Sequence, residues 1–278
     1  MKKIIVVGSF LLMFVNVNAQ DFLGKAEYFS KKIPTQKVQK TQTKDNEPID
    51  PEFEKALQDA VKRASEKKFL LTFNKTECLY EEQKELEKPQ NTGDFSITVS
   101  YSNAGKKYIN TKEKNSVVED EIFGKEFLIV EPLVQPEWKL INESKKIGDY
   151  NCFKAELIIP VSKKQLEAYE EFLKNEETKP ALFKMDKPED RVITVWYTPE
   201  IPVSFGPDNY WGLPGLILEV NDGQYIILCS KVTLSNKDKT KIKAPNSGEK
   251  VNQKKFDEIY KKKSDSMKNE DGVIIFAH

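Results

Sequence analysis

Apolar positions along the chain repeat with two different periods. From Phe69 to about Val130, apolar and polar residues alternate in short runs joined by glycine, asparagine and aspartate. This alternation is typical of half-buried strands, and short runs with local turns favour an antiparallel meander over a parallel sheet. Similar runs predict further strands within residues 24–29, 137–143, 150–161, 191–198 and 216–235.

Three other segments have the period and the end signals of helices. Asp50 and Pro51 resemble an N-cap and first helical position, and predict a helix near residues 50–68. Ser162 and Gln165 form a capping box that opens a predicted helix near 162–175. A third helix is predicted near 252–267, ahead of an apolar stretch at 272–277 that is expected to form one more edge strand.

These elements predict a mainly β fold of the α+β class, in one domain that covers residues 20–278. Asn221-Asp222-Gly223 is a strong hairpin signal, and the helix near 162–175 interrupts two strands that are expected to pair. We therefore expect a large, strongly twisted antiparallel sheet that forms an open half-barrel. The concave face of such a sheet is plugged by a helix, filled by side chains or left for a ligand.

The first residues predict a secretory signal peptide. Lys2 and Lys3 precede an apolar run, and small residues at Val17 and Ala19 suit a signal peptidase. We expect cleavage between Ala19 and Gln20, with residues 1–19 as the signal. The apolar run is shorter than the roughly 20 residues of a spanning helix. The mature protein is therefore expected to be exported, without a membrane span, to the periplasm or cell envelope or into the medium.

Charge and composition exclude several classes of function. Removing Lys2 and Lys3 leaves 42 basic residues against 44 acidic ones, which is no basic footprint for nucleic acid. The single histidine is His278, the last residue, so a catalytic triad is not expected. No cysteine or histidine cluster has the spacing of a metal site, and no cofactor is expected.

Three cysteines, Cys78, Cys152 and Cys229, lie far apart in apolar stretches. An exported chain with three cysteines permits one disulfide and leaves one thiol over. Buried free thiols are an equally consistent interpretation. The sequence alone leaves both alternatives open.

The segment 198–215, "TPEIPVSFGPDNYWGLPG", contains four prolines and three glycines among aromatic residues. Prolines restrict the backbone and glycines permit tight turns, so this long loop is expected to be rigid. A phosphate-binding loop is excluded, because Gly212 and Gly215 lead into strand-like residues without a Gly-Lys-Ser/Thr end. We expect instead a type II turn at Leu213-Pro214-Gly215, in which Gly215 has a positive φ.

The string "GLPGLI" at 212–217 resembles the signature of the GLPGLI family of exported Gram-negative bacterial proteins. The resemblance extends to "EWKLINESKKIGDYNCFKAE" at 137–156 and to "VWYTPEIPVSFGPDNYWGLPGLILEV" at 195–220, and it covers roughly residues 125–235. It implies export and a β-rich fold, but it does not indicate any enzymatic activity. Because members are often encoded near outer-membrane receptors, an accessory role in the envelope is the expected function.

The leading hypothesis is a non-catalytic envelope protein that binds a peptide, a lipid or an outer-membrane protein through the concave sheet and the 198–215 loop. Exposed aromatic residues of this region would provide the contact area, and the candidates are Tyr197, Phe205, Tyr210 and Trp211. In the alternative interpretation these rings pack beneath the loop and close the core.

Two other classes of function are consistent with the sequence. A carboxylate-dependent hydrolase would use two of the acids around the loop as general acid and base, chosen from Glu200, Asp208, Glu219 and Asp222. In the alternative interpretation these acids have no catalytic role: Glu219 faces solvent on its strand and Asp222 forms the hairpin turn. A structural assembly factor would instead pair an edge strand with a partner.

Overall fold

A computed structural model describes residues 22–33, 65–83, 105–176, 187–237 and 240–267. These residues form one sheet of twelve strands and two helices. The strands are β1 (Leu23–Lys32), β2 (Glu66–Phe73), β3 (Glu77–Glu82), β4 (Lys107–Asn110), β5 (Asn115–Ile122), β6 (Lys125–Pro132), β7 (Lys139–Ile147), β8 (Tyr150–Ile159), β9 (Arg191–Thr198), β10 (Leu216–Asn221), β11 (Tyr225–Ser235) and β12 (Glu249–Val251). The helices are α1 (Lys163–Glu176) and α2 (Gln253–Ser266).

The strands are ordered β12-β6-β5-β4-β3-β2-β1-β11-β10-β9-β8-β7 across the sheet. Two antiparallel meanders, β1 to β6 and β7 to β11, are joined at the centre by the antiparallel pair of β1 and β11. The predicted mainly β, open half-barrel fold is confirmed. The short strand β12 pairs in parallel with β6 and was not predicted.

The connection between β6 and β7 shows that the sheet is strongly curved. These strands are ten positions apart in the sheet, which is about 48 Å in a flat sheet at about 4.8 Å per strand. The chain from Pro132 to Lys139 spans at most about 25 Å when fully extended. The two ends of the sheet must therefore curl toward each other, and this creates a concave inner face.

Local sequence signals account for several of these elements. Gly223 adopts φ 82° in the hairpin turn between β10 and β11, as expected for a residue in the Asn-Asp-Gly turn. The capping box at the start of α1 is confirmed, because Gln165 N donates to Ser162 Oγ (3.3 Å) and Ser162 N donates to Gln165 Oε1 (3.0 Å). The strands that flank α1, β8 and β9, pair as predicted.

The C-terminal helix also begins and ends close to its predicted bounds. Asn252 is its N-cap, and its side chain accepts a hydrogen bond from Lys255 N (2.8 Å). The predicted helix near 50–68 lies mostly outside the described residues. At its end Ser65 is helical, but residues 66–68 already belong to β2, so the predicted C-terminal bound is wrong. The strand predicted at 272–277 lies outside the described residues.

The main core fills the inner face of the sheet. Its large, fully buried side chains include Tyr28, Phe73, Phe205 and Ile217. The register of β10 shifts after Ile217, and β10 pairs with β11 over Glu219–Asn221. The buried carbonyl of Ile217 instead accepts a hydrogen bond from the Tyr28 hydroxyl (2.6 Å). This bond satisfies a polar group that would be costly to bury alone.

Helix α2 packs on the same inner face, at the β6 end of the sheet. Ile109 belongs to the main core and lies opposite Ser116, so Val118, two residues further along β5, faces the same side. Val118 contacts the cluster in which Phe256 of α2 packs edge-on against Phe127, with ring centroids 5.6 Å apart. A helix therefore plugs this part of the concave face.

Among the described residues, neither helix has the length and apolar character needed to cross a membrane.

The edge strand β7 contains a register shift between Ile141 and Ser144, and it has lysines at positions 139, 145 and 146. Bulges and lysines are typical of edges that resist pairing with another strand.

Candidate functional site

The loop at 199–215 folds back on itself and on the start of β10. Gly212 N donates to Ser204 O (2.9 Å), which closes the outer part of the loop. Leu216 N donates to Ile201 O (3.0 Å), and Ile217 N donates to Phe205 O (3.0 Å). The loop backbone thus provides the hydrogen-bond partners that a neighbouring strand would otherwise supply. This arrangement agrees with the rigidity expected from its prolines.

The glycines of the loop are required for a reason different from the predicted one. Gly212 has φ 96°, whereas Gly215 is not among the residues with positive φ, so the predicted type II turn at Leu213-Pro214-Gly215 is wrong. A Cβ on Gly215 would lie 2.2 Å from Thr198 O, and a Cβ on Gly206 would lie 2.7 Å from Ile217 Cβ. Gly215 and Gly206 are therefore required by close packing.

Side chains connect this loop to three other parts of the fold. The Lys107 ammonium on the inner face of β4 forms an ion pair with Asp208 at the loop tip. Trp138 Nε1, just before β7, donates to Trp211 O (2.8 Å). The Tyr210 hydroxyl donates to Asp222 Oδ2 in the β10–β11 turn (3.2 Å). The loop therefore crosses the concave face and links the two meanders.

The Lys107–Asp208 pair has two unusual properties. Burial lowers the pKa of the Lys107 ammonium to about 8, while the nearby Asp120 carboxylate opposes that shift. Contact with the Asp208 carboxylate also favours the charged ammonium. Asp208 itself has φ 57°, a left-handed conformation that aspartate tolerates better than most residues. Perturbed lysines and strained loop residues are both common at functional sites.

Sequence reasoning missed Lys107, although one signal was present. The run "KKYIN" at 106–110 places Lys107 on the same side of the strand as the core residue Ile109. A charged residue on the apolar face of a strand needs a partner. Asp208 is 101 residues away along the chain, and only the folded sheet brings the two together.

The four aromatic candidates divide into two pairs. Tyr197 is 6% exposed and Phe205 is fully buried, so these two rings follow the alternative interpretation, in which they pack beneath the loop and close the core. Tyr197 lies on the same side of β9 as the buried Val195, two residues earlier, and this alternation turns its ring inward. Tyr210 and Trp211 are half-buried and retain accessible surface. Only these two still support contact with a partner at the surface.

Each of the four carboxylates of the hydrolase alternative has its own separate partners. Asp208 pairs with Lys107, and Glu200 Oε1 accepts from Asn151 N (2.8 Å). Glu219 is not simply solvent-facing, because it binds Lys145 Nζ (2.7 Å), which also lies over the Trp196 ring. Asp222 Oδ1 accepts from Gln224 N (2.9 Å) and Tyr225 N (2.6 Å), so it forms the hairpin turn as predicted. These contacts account for each carboxylate structurally.

Within the described ranges, no group of three or more His, Cys, Asp or Glu residues is arranged to hold a metal ion. Ala19 and Gln20, at the predicted signal cleavage site, lie outside the described residues, as does His278.

All three cysteines are free thiols, with Cys78 and Cys152 buried and Cys229 half-buried. The structure therefore favours the free-thiol alternative over a disulfide.

These thiols predict a loss of stability at alkaline pH. Burial raises the pKa of Cys152 to about 11 and of Cys229 to about 12, and it raises the pKa of Cys78 further. An unfolded thiol titrates near about 8.5. Between these values the unfolded chain binds fewer protons than the folded one, so the free energy of unfolding falls as pH rises. Urea unfolding measured from pH 8 to 11 should show this decline.

A variant with all three cysteines changed to alanine is the control for the alkaline prediction. The cavities it creates lower stability at every pH, but its slope against pH should be shallower than that of the native chain. Lys107 and the buried tyrosines also have shifted pKa values, but they are present in both proteins, so their contributions to the pH dependence cancel in the comparison. Equal slopes in the two proteins would contradict the assignment to the thiols.

Comparison with known proteins adds a family match over part of this region. Residues 138–219, less than a third of the chain, match a family described as "Protein of unknown function (Porph_ging)". This range includes β8, β9 and the complete loop, and it lies within the residues that resemble the GLPGLI family. Among curated proteins, none matches this chain.

Two solved structures of PNGF-II, in space groups C2 and P21, are similar to this chain at 14% sequence identity. Their TM-scores are 0.47 and 0.46, with 87% and 88% of this chain covered. The chain spans about a third of the length of those structures, since 33% and 34% of them are covered. At these values the similarity carries no conclusion about activity.

Proposed function

We propose that this protein is an exported, non-catalytic accessory protein of the cell envelope, of the GLPGLI type, which binds a protein partner. The observation that carries the proposal is a rigid loop that presents Tyr210 and Trp211 at the surface. Half-exposed aromatic rings on a rigid support give contact area at a low cost in conformational entropy. Loops on a rigid sheet are common sites of binding.

The neighbouring segment extends the apolar surface beside Trp211. Val134 is 79% exposed and Leu140 is 61% exposed, on either side of residues 135–138. That segment contacts the loop directly, because a Cβ on Gly212 would lie 3.2 Å from Pro136 Cδ and Trp138 donates to Trp211 O. We call this surface, formed by Val134, Tyr210 and Trp211, the loop patch.

A protein partner fits this geometry better than a ligand inside the half-barrel. Helix α2 and the 199–215 loop occupy much of the concave face, which leaves the outer side of the loop as the accessible surface. An outer-membrane receptor or another envelope protein would contact the loop patch from outside. A peptide or lipid at the same patch is the competing ligand class.

Site-specific photocrosslinking in the native envelope tests this proposal. A photoreactive phenylalanine analogue at Val134 should crosslink one reproducible protein, and Trp211→Ala should reduce that product several-fold. The same analogue at Leu228, which is 41% exposed on β11, is the matched control and should not yield it. Equal products from both positions, or crosslinks to lipid alone, would contradict a protein partner at the loop patch.

The export part of the proposal has a separate test. N-terminal sequencing of the protein from the envelope fraction should begin at Gln20, the residue after the proposed cleavage site. A product that retains Met1 in the cytoplasm would refute export without affecting the loop patch. The two parts of the proposal can therefore fail independently.

A further inference from the structure

An ion pair holds the tip of the 199–215 loop on the opposite meander. Asp208 lies at the tip of the loop between β9 and β10, whereas its partner Lys107 is the first residue of β4. Tyr210 N donates to Pro207 O (3.2 Å), so the tip is a turn with a hydrogen bond of its own. Because this bond does not depend on Asp208, the tip can leave β4 without unfolding the sheet.

The two charges of the pair differ in their access to solvent. The Lys107 side chain is 13% exposed, and that of Asp208 is 35% exposed. A detached Asp208 carboxylate would be hydrated, but a charged Lys107 left alone on the apolar inner face would be costly. The tip is therefore held while Lys107 is charged, and this constraint disappears when the amine is neutral.

The inner side of β3 places no unpaired charge beside Lys107. Tyr80 lies directly opposite Lys107, and burial raises the pKa of its hydroxyl well above the usual value, so it stays neutral. Glu82 faces the same side two residues further along, but it forms an ion pair with Lys67 (3.0 Å). Neither residue can replace Asp208 as the partner of Lys107.

Two carboxylates favour the charged form of Lys107, and burial opposes them. Asp120 of β5 lies on the inner face, because it is opposite the buried Phe127. Burial is the larger effect and lowers the pKa of Lys107 to about 8, while the Asp120 carboxylate opposes the shift. The contact with Asp208 acts in the same direction as Asp120. Lys107 therefore loses its charge under mildly alkaline conditions, at or above about pH 8.

From this geometry we propose that the Lys107–Asp208 pair is a pH-sensitive latch, which holds the loop tip on β4 at neutral pH and releases it at alkaline pH. Its consequence for binding rests on the proposed function, since Tyr210 and Trp211 of the loop patch follow Asp208 in the tip. Release removes one of the three side-chain attachments of the loop. The two rings are then less ordered, and a partner binds them more weakly because it must order them.

Fluorine NMR of the full chain labelled with 5-fluorotryptophan tests the latch without a partner. The chain has three tryptophans, and Trp211→Phe identifies the Trp211 signal by its disappearance. In the native chain this signal should shift in one titration, with a midpoint at or above about pH 8. Trp196, which lies beneath the Lys145 ammonium outside the loop, provides the internal reference and should not follow that titration.

Two substitutions should release the tip at neutral pH. Lys107→Met replaces the ammonium with an apolar side chain that suits the inner face, and Asp208→Asn removes the other charge but tolerates the left-handed φ. In both variants the Trp211 signal at neutral pH should have the position that the native signal reaches at alkaline pH. A Lys107→Met signal that keeps the native neutral position, or that still titrates in a protein folded by circular dichroism, would overturn the latch.

Lys106→Met is the matched control for the loss of charge. Lys106 is the neighbouring residue, but its side chain is 48% exposed and pairs with Glu81 (3.8 Å) instead of the loop. This variant should retain the native titration of the Trp211 signal. If the titration were lost here as well, the overall charge and not the pair would control the tip, and the assignment to Lys107 would be overturned.

Photocrosslinking from Val134 measures the consequence for the loop patch separately. Asp208→Asn should lower the crosslinked product several-fold, and Lys106→Met should leave it unchanged. A native chain that gives no product would refute the proposed partner, while the fluorine titration still decides whether the latch exists. Equal products from the native chain and Asp208→Asn, in a protein whose titration is confirmed, would overturn the role of the latch in binding.

Discussion

Replacing Gly215 with alanine is expected to lower the free energy of unfolding by about 3 kcal/mol or more. The added Cβ would lie 2.2 Å from Thr198 O and 2.5 Å from Thr198 C, both of which are backbone atoms. A flexible side chain cannot absorb this overlap, so β9 and the end of the loop must separate. For a domain of this size, thermal unfolding should begin about 6–12 °C lower.

Gly148→Ala is the matched control, because it separates steric overlap from backbone conformation. Gly148 has φ 56°, and no heavy atom lies within 4 Å of its added Cβ. Alanine there should cost only the left-handed conformation, about 1–2 kcal/mol. If the two variants were equally stable, close packing at Gly215 would not be the reason for a glycine at that position.

The local elements of this fold could be predicted from the sequence because their signals lie within a few residues. The Asn221–Gly223 turn and the Ser162–Gln165 capping box each involve contacts over two or three residues. Alternation of apolar residues then gave most of the strands. The missed strand β12 has only three residues, Glu249–Val251, which is too short for an alternating pattern to be detected.

The long-range closure of the sheet could not be predicted in the same way. The first described strand, β1, lies in the middle of the sheet and pairs with β11, and the Tyr28 hydroxyl donates to Ile217 O across 189 residues of sequence. The curvature that makes the loop and β4 meet follows from twist accumulated over many strands. No local pattern in "PDNYW" identifies Lys107 as the partner of Asp208.

The error at Gly215 has a specific physical cause. A Leu-Pro-Gly sequence predicts a type II turn because proline restricts one dihedral angle and glycine permits positive φ. In the structure Gly212 adopts the positive φ, while Gly215 allows the backbone of Thr198 to approach. Glycine is thus required at one position for positive φ and at the other for close packing. Only the need for positive φ can be inferred from a short sequence pattern.

Within the loop, the residues that close the fold differ from the residue that we propose contacts a partner. Three contacts attach the loop to different regions of the sheet. They are the Lys107–Asp208 ion pair, the hydrogen bond from Trp138 Nε1 to Trp211 O, and the hydrogen bond from the Tyr210 hydroxyl to Asp222. Phe205 lies in the core and contributes only to closure. Trp211, whose backbone is fixed while its ring remains accessible, is the residue at which rigidity and exposure coincide.

Phe205→Ala is therefore expected to be among the most destabilising substitutions in the loop, with a loss of about 3–5 kcal/mol. The ring is fully buried, and the Phe205 carbonyl accepts the Ile217 N–H, so a cavity would form where the loop meets β10. Urea unfolding with a fixed m-value would measure this loss. Phe205→Leu retains much of the volume and should lose less.

Trp211→Ala provides the contrast that separates the two roles. Its ring is only half-buried, so the substitution should cost less than half as much stability as Phe205→Ala, while it reduces crosslinking at the loop patch several-fold. If Trp211→Ala destabilised the protein as strongly as Phe205→Ala, its ring would belong to the core. The loop would then close the fold without presenting a binding residue, and the proposed partner contact would lose its main support.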